Sequence, residues 1–173
     1  YDVLLSLPFD GIGLDFVEGV QSLALLQKHG FPENKTLFAG VVSGRNIWRN
    51  RYADTLRTVR EIRRYARDVV IGPSCSLLHV PYSVKHETRL PQDYTRHFAF
   101  AEEKLRELAE LKRLLDSPNP TKEEAYKRNE ALLAGPRCKP DEAVRARVAA
   151  LTERDFTRLP ALPEREAIQR NKL

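Results

Sequence analysis

Three short apolar runs punctuate the first half of the chain: Ile12-Gly13-Leu14-Asp15-Phe16, Leu37-Phe38-Ala39-Gly40-Val41-Val42 and Val69-Val70-Ile71-Gly72. Each is nearly unbroken rather than alternating, and each is bounded by Gly, Pro or Asn. That is the pattern of parallel strands covered on both faces. Between them a helical spacing takes over. Residues 21–29 carry Leu23 and Leu26 and stop at Gly30, with Pro32 beyond, which is a helix-end signal. Over residues 52–67, Tyr52, Leu56, Val59, Ile62 and Ala66 recur at steps of 4, 3, 3 and 4, one face of a helix. The alternation of strand and helix predicts right-handed parallel βαβ units and an α/β fold.

The second half reads as helices. After a loop rich in Pro, Ser and His from Pro73 to Asp93, the pattern predicts one helix over residues 94–115, with Ala101, Leu105, Leu108, Leu111 and Leu115 inward. Thr121 with Glu124 reads as a capping box for a further helix to Ala134, which Gly135-Pro136 ends. Pro140-Asp141-Glu142 predicts the start of another, with Val144, Val148 and Leu151 inward. Residues 159–173 are charged and Pro-punctuated, and read as an extended linker.

The strand starts lie about 25 and 32 residues apart, the spacing of barrel units, but a whole eight-fold barrel needs about 250 residues. Three parallel strands also leave two open edges. The expected fold is therefore a partial TIM (β/α)8 barrel, its last strands, followed by extra helices and a linker. The 173 residues fit one domain of ordinary size. No methionine is present and Tyr1 comes first, so the chain reads as a processed or partial form of a translated product. No run approaches the roughly 18 apolar residues of a membrane span. Asp2 and Asp10 interrupt the early apolar stretch, so no signal peptide is read there. Two cysteines, Cys75 and Cys138, make no disulfide framework. A reducing, cytoplasmic setting is expected.

Net charge is +5. Eight arginines (45, 49, 51, 57, 60, 63, 64 and 67) stand against Asp54 and Glu61 between Arg45 and Arg67. Such a stripe suits phosphates, so a basic nucleic-acid-binding α/β module is the alternative function. Without interleaved aromatics it fits better as the solvated face of a helix.

Gly11-Ile12-Gly13 is no dinucleotide loop: Phe16 stands where the third glycine would be, and the glycines do not follow a strand. Cys75, His79 and His86 offer one thiolate and two imidazoles, short of the four ligands of a closed zinc site. Cys75 as nucleophile lacks an orienting group, and Ser74 and Ser76 lack an elbow motif. The expectation is no metal and no catalytic residue on this chain. Ser43-Gly44-Arg45-Asn46 follows the second strand directly, where barrel enzymes keep ligand contacts. Arg45 and Asn46 are the substrate-binding candidates, with Asp15 a third. Asp15, inside an apolar run, needs a partner, and Arg45 is the expected one. Trp48, the single tryptophan, is expected to pack.

Four motifs together resemble the cobalamin-independent methionine synthases, the 5-methyltetrahydropteroyltriglutamate–homocysteine methyltransferases. They are Gly11-Ile12-Gly13-Leu14-Asp15-Phe16-Val17, Gly40-Val41-Val42-Ser43-Gly44-Arg45-Asn46-Ile47-Trp48-Arg49, Pro73-Ser74-Cys75-Ser76-Leu77-Leu78-His79-Val80-Pro81 and Phe98-Ala99-Phe100-Ala101-Glu102-Glu103-Lys104-Leu105. Ala149-Ala150-Leu151-Thr152 and Asp155-Phe156 extend the likeness toward the end. The family has two (β/α)8 barrels, with zinc and homocysteine held by the carboxyl-terminal one. The resemblance implies that residues 1–115 are strands six to eight of the amino-terminal barrel, 116–158 a helical extension and 159–173 the interdomain linker. It implies scaffold rather than catalytic centre, and no cofactor here. The implied partners are the remainder of the same polypeptide (strands one to five and the carboxyl-terminal barrel) and, for the parent, methyltetrahydrofolate polyglutamate and homocysteine. Neither membrane nor nucleic acid is an implied partner. In the second barrel a zinc-ligand cysteine occupies the place of Cys75; with the other ligands missing, that role does not carry over.

Overall fold

The computed structural model describes residues 1–137, 141–158 and 160–172. The three apolar runs form strands β1 (Gly11–Asp15), β2 (Thr36–Val42) and β3 (Asp68–Pro73), in the order β1-β2-β3 and parallel throughout. Register pairs Ile12 with Leu37, and Leu37 with Val69. Between Gly40 and Val42 the β2–β3 register slips, so that Val41 and Val42 are both buried. A short helix, α1 (Asp2–Ser6), precedes β1; α2 (Ser22–His29) and α3 (Tyr52–Ile62) connect the strands. α2 ends at Gly30, whose φ of 71° suits glycine. α3 stops at Ile62 rather than Arg67, because the Arg64 and Tyr65 amides turn back three residues onto Glu61 and Ile62. Even so, Ala66 stays buried.

One face of the sheet is covered. Ile12, Leu37, Ala39 and Val41 pack with Leu26 of α2 and with Val59 and Ile62 of α3. Fully burying each such side chain is worth about 1.5–3 kcal/mol. The opposite face corrects the expectation of strands buried on both sides. Phe38 is 50% exposed and Val70 44%, and Gly13 is exposed beside them. Among the described residues neither β1 nor β3 has a second neighbouring strand.

The helix expected over 94–115 is broken. A four-residue helix, α4 (Gln92–Thr95), is followed by α5 (Ala101–Asp116). Between them the chain pairs with the segment after β2. The Ala99 amide donates to the Ile47 carbonyl at 2.7 Å, and the Arg49 amide to the His97 carbonyl at 2.9 Å. The leucine stripe is only part of the inward face of α5: Leu111 is buried and Leu108 and Leu115 pack against the core, but charged residues share that face. Leu105 is 56% exposed, while Glu103, Lys104, Glu107, Leu111 and Leu114 are buried. Leu111 and Leu114 pack with Val42, Tyr52 and Leu56 in a second cluster.

The next helix, α6 (Glu124–Leu133), starts at Glu124 with Glu123 as its N-cap residue. Thr121 lies in a preceding 3-10 turn and does not cap it. α7 (Glu142–Ala149) is capped by Asp141, whose Oδ1 accepts from the Ala143 and Val144 amides at 2.8 and 3.2 Å. Its expected start at Pro140 lies outside the described residues, as does Cys138. Val144 and Val148 are 58% and 60% exposed and Leu151 43%, not inward. α8 (Glu153–Phe156) and α9 (Leu162–Arg170) follow. α9 replaces the expected extended linker over its span. A proline in its first turn suits a helix start, and Glu164 and Arg170 sit where they favour the helix dipole. Leu159 and Leu173, the ends of that expected linker, lie outside the described residues. Two units divide the chain, 1–137 and 138–173.

Candidate functional site

The carboxyl ends of the three parallel strands lead into three loops, where a parallel fold gathers its ligand contacts. After β1, Asp15 Oδ1 accepts the Val17 and Glu18 amides at 2.7 and 2.9 Å. Its partner is therefore its own turn; no ion pair joins it to Arg45 among the described residues, contrary to expectation. After β2, the buried Ser43 hydroxyl accepts the Arg45 and Asn46 amides at 3.3 and 3.2 Å. This leaves both candidate side chains exposed on the loop. Asn46 Oδ1 in turn accepts the Trp48 amide at 3.0 Å. After β3, Ser74 Oγ accepts the Gly44 amide at 3.1 Å, and a Cβ on Gly44 would lie 2.5 Å from the Cys75 carbonyl oxygen. Only glycine lets the second and third loops touch there.

Trp48 packs, as expected: Phe98 meets it edge-on at 5.5 Å between ring centroids, and the Arg137 guanidinium lies 4.6 Å from its centroid. A cleft of about 420 Å³ opens beside it, lined by Phe16, Ser43, Asn46, Trp48 and Lys104 among others.

Under this loop lies a polar layer that pattern reading missed. Lys104 Nζ donates to the Trp48 carbonyl at 3.4 Å. Glu107 Oε1 accepts the Asn50 amide at 3.1 Å and stands 3.8 Å from the Arg49 guanidinium. Asn129 of α6 donates to the Asn50 carbonyl at 2.8 Å and accepts the Tyr52 amide at 2.9 Å. Glu103 accepts the Phe100 and Val84 amides and the Ser83 hydroxyl, at 3.1–3.2 Å. Burial pushes the Glu107 carboxyl up to about 7, against the pull of the Asn50 amide, Arg49 and Lys104. Burial also pushes the Lys104 ammonium down. His97, buried, is held below its ordinary value by desolvation and by Arg96 and Arg137. The available signal was the stripe Phe100, Glu103, Lys104, Glu107, Leu111 and Leu114, which has helical spacing but mixes charge with leucine.

The metal candidates do not come together. Cys75 Sγ rests near the Ser76 carbonyl, His79 is exposed, and His86 lies 6.1 Å from the Tyr82 ring. Among the described residues no group of three His, Cys, Asp or Glu side chains could hold a metal ion, so these residues do not fit zinc. Five of the eight arginines of the basic stripe face carboxylates: Arg49 faces Glu107, Arg51 and Arg57 face Asp54, Arg64 faces Glu61 and Arg67 faces Glu33. Among the described residues no helix is long and apolar enough to cross a membrane.

A three-strand parallel α/β unit with its loops gathered at the strand ends is the class of protein in hand. Residues 1–67 match the family model described as the cobalamin-independent synthase N-terminal domain. The whole chain aligns with 5-methyltetrahydropteroyltriglutamate–homocysteine methyltransferases. Identity is 47% over 175 residues for that of Campylobacter jejuni subsp. jejuni, 46% over 173 for Lactococcus lactis subsp. lactis and 44% over 176 for Bifidobacterium animalis subsp. lactis. The chain is thus similar along its full length to these methyltransferases, and it spans 22–23% of their length.

Proposed function

We propose that the chain forms strands six to eight of the amino-terminal (β/α)8 barrel of a methyltransferase. The parent would move a methyl group from 5-methyltetrahydrofolate polyglutamate to homocysteine and so make methionine. In this reading residues 1–115 end the barrel, 116–158 extend it and 159–173 lead to the second barrel. The chain is scaffold and carries no cofactor, and the zinc belongs to the remainder of the polypeptide. The parent works in the cytoplasm. The loops bearing Asp15, Arg45 and Asn46 sit on the strand-end rim, where they would border ligand space shared with the rest of the polypeptide.

The observation that carries this reading is the half-covered sheet. A parallel sheet with Phe38 and Val70 on an open face and two open edges is what part of a barrel leaves when its other strands are not present. The relatives, more than four times longer, supply a source for those strands. Arg51, Arg57, Arg64 and Arg67 are engaged with carboxylates and lend no weight to the nucleic-acid alternative.

Expressing the full-length gene in a methionine auxotroph without cobalamin tests the proposal. Growth without methionine is expected. No growth, with the protein soluble and well expressed, would contradict it.

A further inference from the structure

α5 buries three charges, with Glu103 4% exposed and Lys104 and Glu107 each 1%. Buried charges cost several kcal/mol each unless bonded, and apolar side chains of similar volume would commonly fill the space at lower cost. What these charges bond is therefore informative. Each reaches a connecting segment. Glu103 holds Ser83 and Val84, beyond β3. Lys104 holds the Trp48 carbonyl, and Glu107 the Asn50 amide, beyond β2. Hydrophobic contact has no direction, whereas these bonds fix particular backbone atoms. Residues 43–51 have no helix or strand of their own beyond the Trp48–Phe98 bridge, so their course depends on such anchors.

We propose that Lys104 and Glu107 are positioning residues for the 43–51 loop, fixing its backbone at Trp48 and Asn50 and so presenting Asn46 at the wall of the adjoining cleft, with the exposed Arg45 next to it in the chain. The two anchors lie on one face of α5, three residues apart, and grip the loop two residues apart. Arg49, between those grips, turns its guanidinium to Glu107. Asn129 secures the far end of the same segment through the Asn50 carbonyl and the Tyr52 amide. The importance of the rim rests on the barrel reading above; the positioning itself does not.

Amide hydrogen exchange of the full-length polypeptide, resolved by mass spectrometry of its peptides, tests this. Lys104→Met and Glu107→Ala are expected to speed exchange in the 46–52 segment about tenfold, the scale of one lost hydrogen bond. β2 and the rest of α5 should keep the wild-type rate. Glu107→Gln retains an acceptor for the Asn50 amide and is expected to restore protection. Wild-type exchange in both Lys104→Met and Glu107→Ala would overturn the proposal. So would acceleration spread evenly over β2 and α5, or a Glu107→Gln variant as fast as Glu107→Ala. Failure of the unsubstituted polypeptide to transfer methyl groups would sink the barrel reading and leave the exchange result standing.

Discussion

The Tyr52 hydroxyl donates to a Glu110 carboxylate oxygen 2.7 Å away, tying the first turn of α3 to the middle of α5. Burial and this bond hold the phenol far above its ordinary titration range, so Tyr52 is a neutral donor at any ordinary pH. The ring itself packs with Leu56 and Leu111. Tyr52→Phe keeps that packing and removes only the donor. The expected loss is about 1.5 kcal/mol, because the acceptor is charged, read from the midpoint of denaturant unfolding at pH 7.

Glu107 makes stability depend on pH. Its carboxyl titrates at about 7 in the fold, above its ordinary value of 4.5. The folded chain therefore holds this proton more tightly than the unfolded chain does. Stability contributed by the protonated group is complete below about 4.5 and is lost as pH rises to about 7. Comparing wild type with Glu107→Gln isolates the effect. The wild type should weaken relative to the variant between pH 5 and 8 by an amount on the order of 2–3 kcal/mol. A constant difference across that range would show that the carboxyl is not desolvated.

Gly44 admits no side chain without movement, given the Cys75 carbonyl 2.5 Å from an added Cβ. Gly44→Ala should cost about 1–3 kcal/mol, as overpacking does, and should raise the accessibility of the Cys75 thiol to alkylating reagents. Gly72, whose Cβ would meet nothing within 4 Å, supplies the control. In the isolated chain Gly72→Ala should change neither readout.

The strands were legible because unbroken apolar runs between turn residues leave few alternatives. The helices α2 and α3 were legible through their spacing. What pattern reading could not supply was non-local. The break before α5 exists because Ala99 bonds Ile47 across the chain, a pairing that local periodicity does not encode. Leu108, Leu111 and Leu115 turn inward as their spacing implies, but the charged part of that face is non-local: Lys104 and Glu107 find partners in Trp48 and Asn50, more than fifty residues earlier. Taken alone, leucine spacing favoured Leu105, which the structure exposes. Asp15, polar inside an apolar run, needs a partner, and it finds one two residues away in its own turn rather than in Arg45.

Phe38 gives a sharper reading of the open sheet face. In the isolated chain it is half exposed, and Phe38→Lys should change stability by less than about 0.5 kcal/mol, as surface substitutions do. In the full-length polypeptide, with the barrel interior closed over it, the same substitution should cost about 3 kcal/mol or more. Equal effects in both settings would argue against the covering strands.

Light scattering coupled to size exclusion, on the isolated chain, tests whether the sheet is one part of a closed barrel. Among the described residues β1 and β3 each have one strand neighbour, and an open edge favours association with any available strand. The expected result is a species heavier than 19.9 kDa, formed by copies pairing edge to edge, and recovery of a one-to-one assembly when the remainder of the polypeptide is supplied as a separate fragment. A monodisperse particle of 19.9 kDa that unfolds in one two-state transition and ignores the added fragment would contradict it.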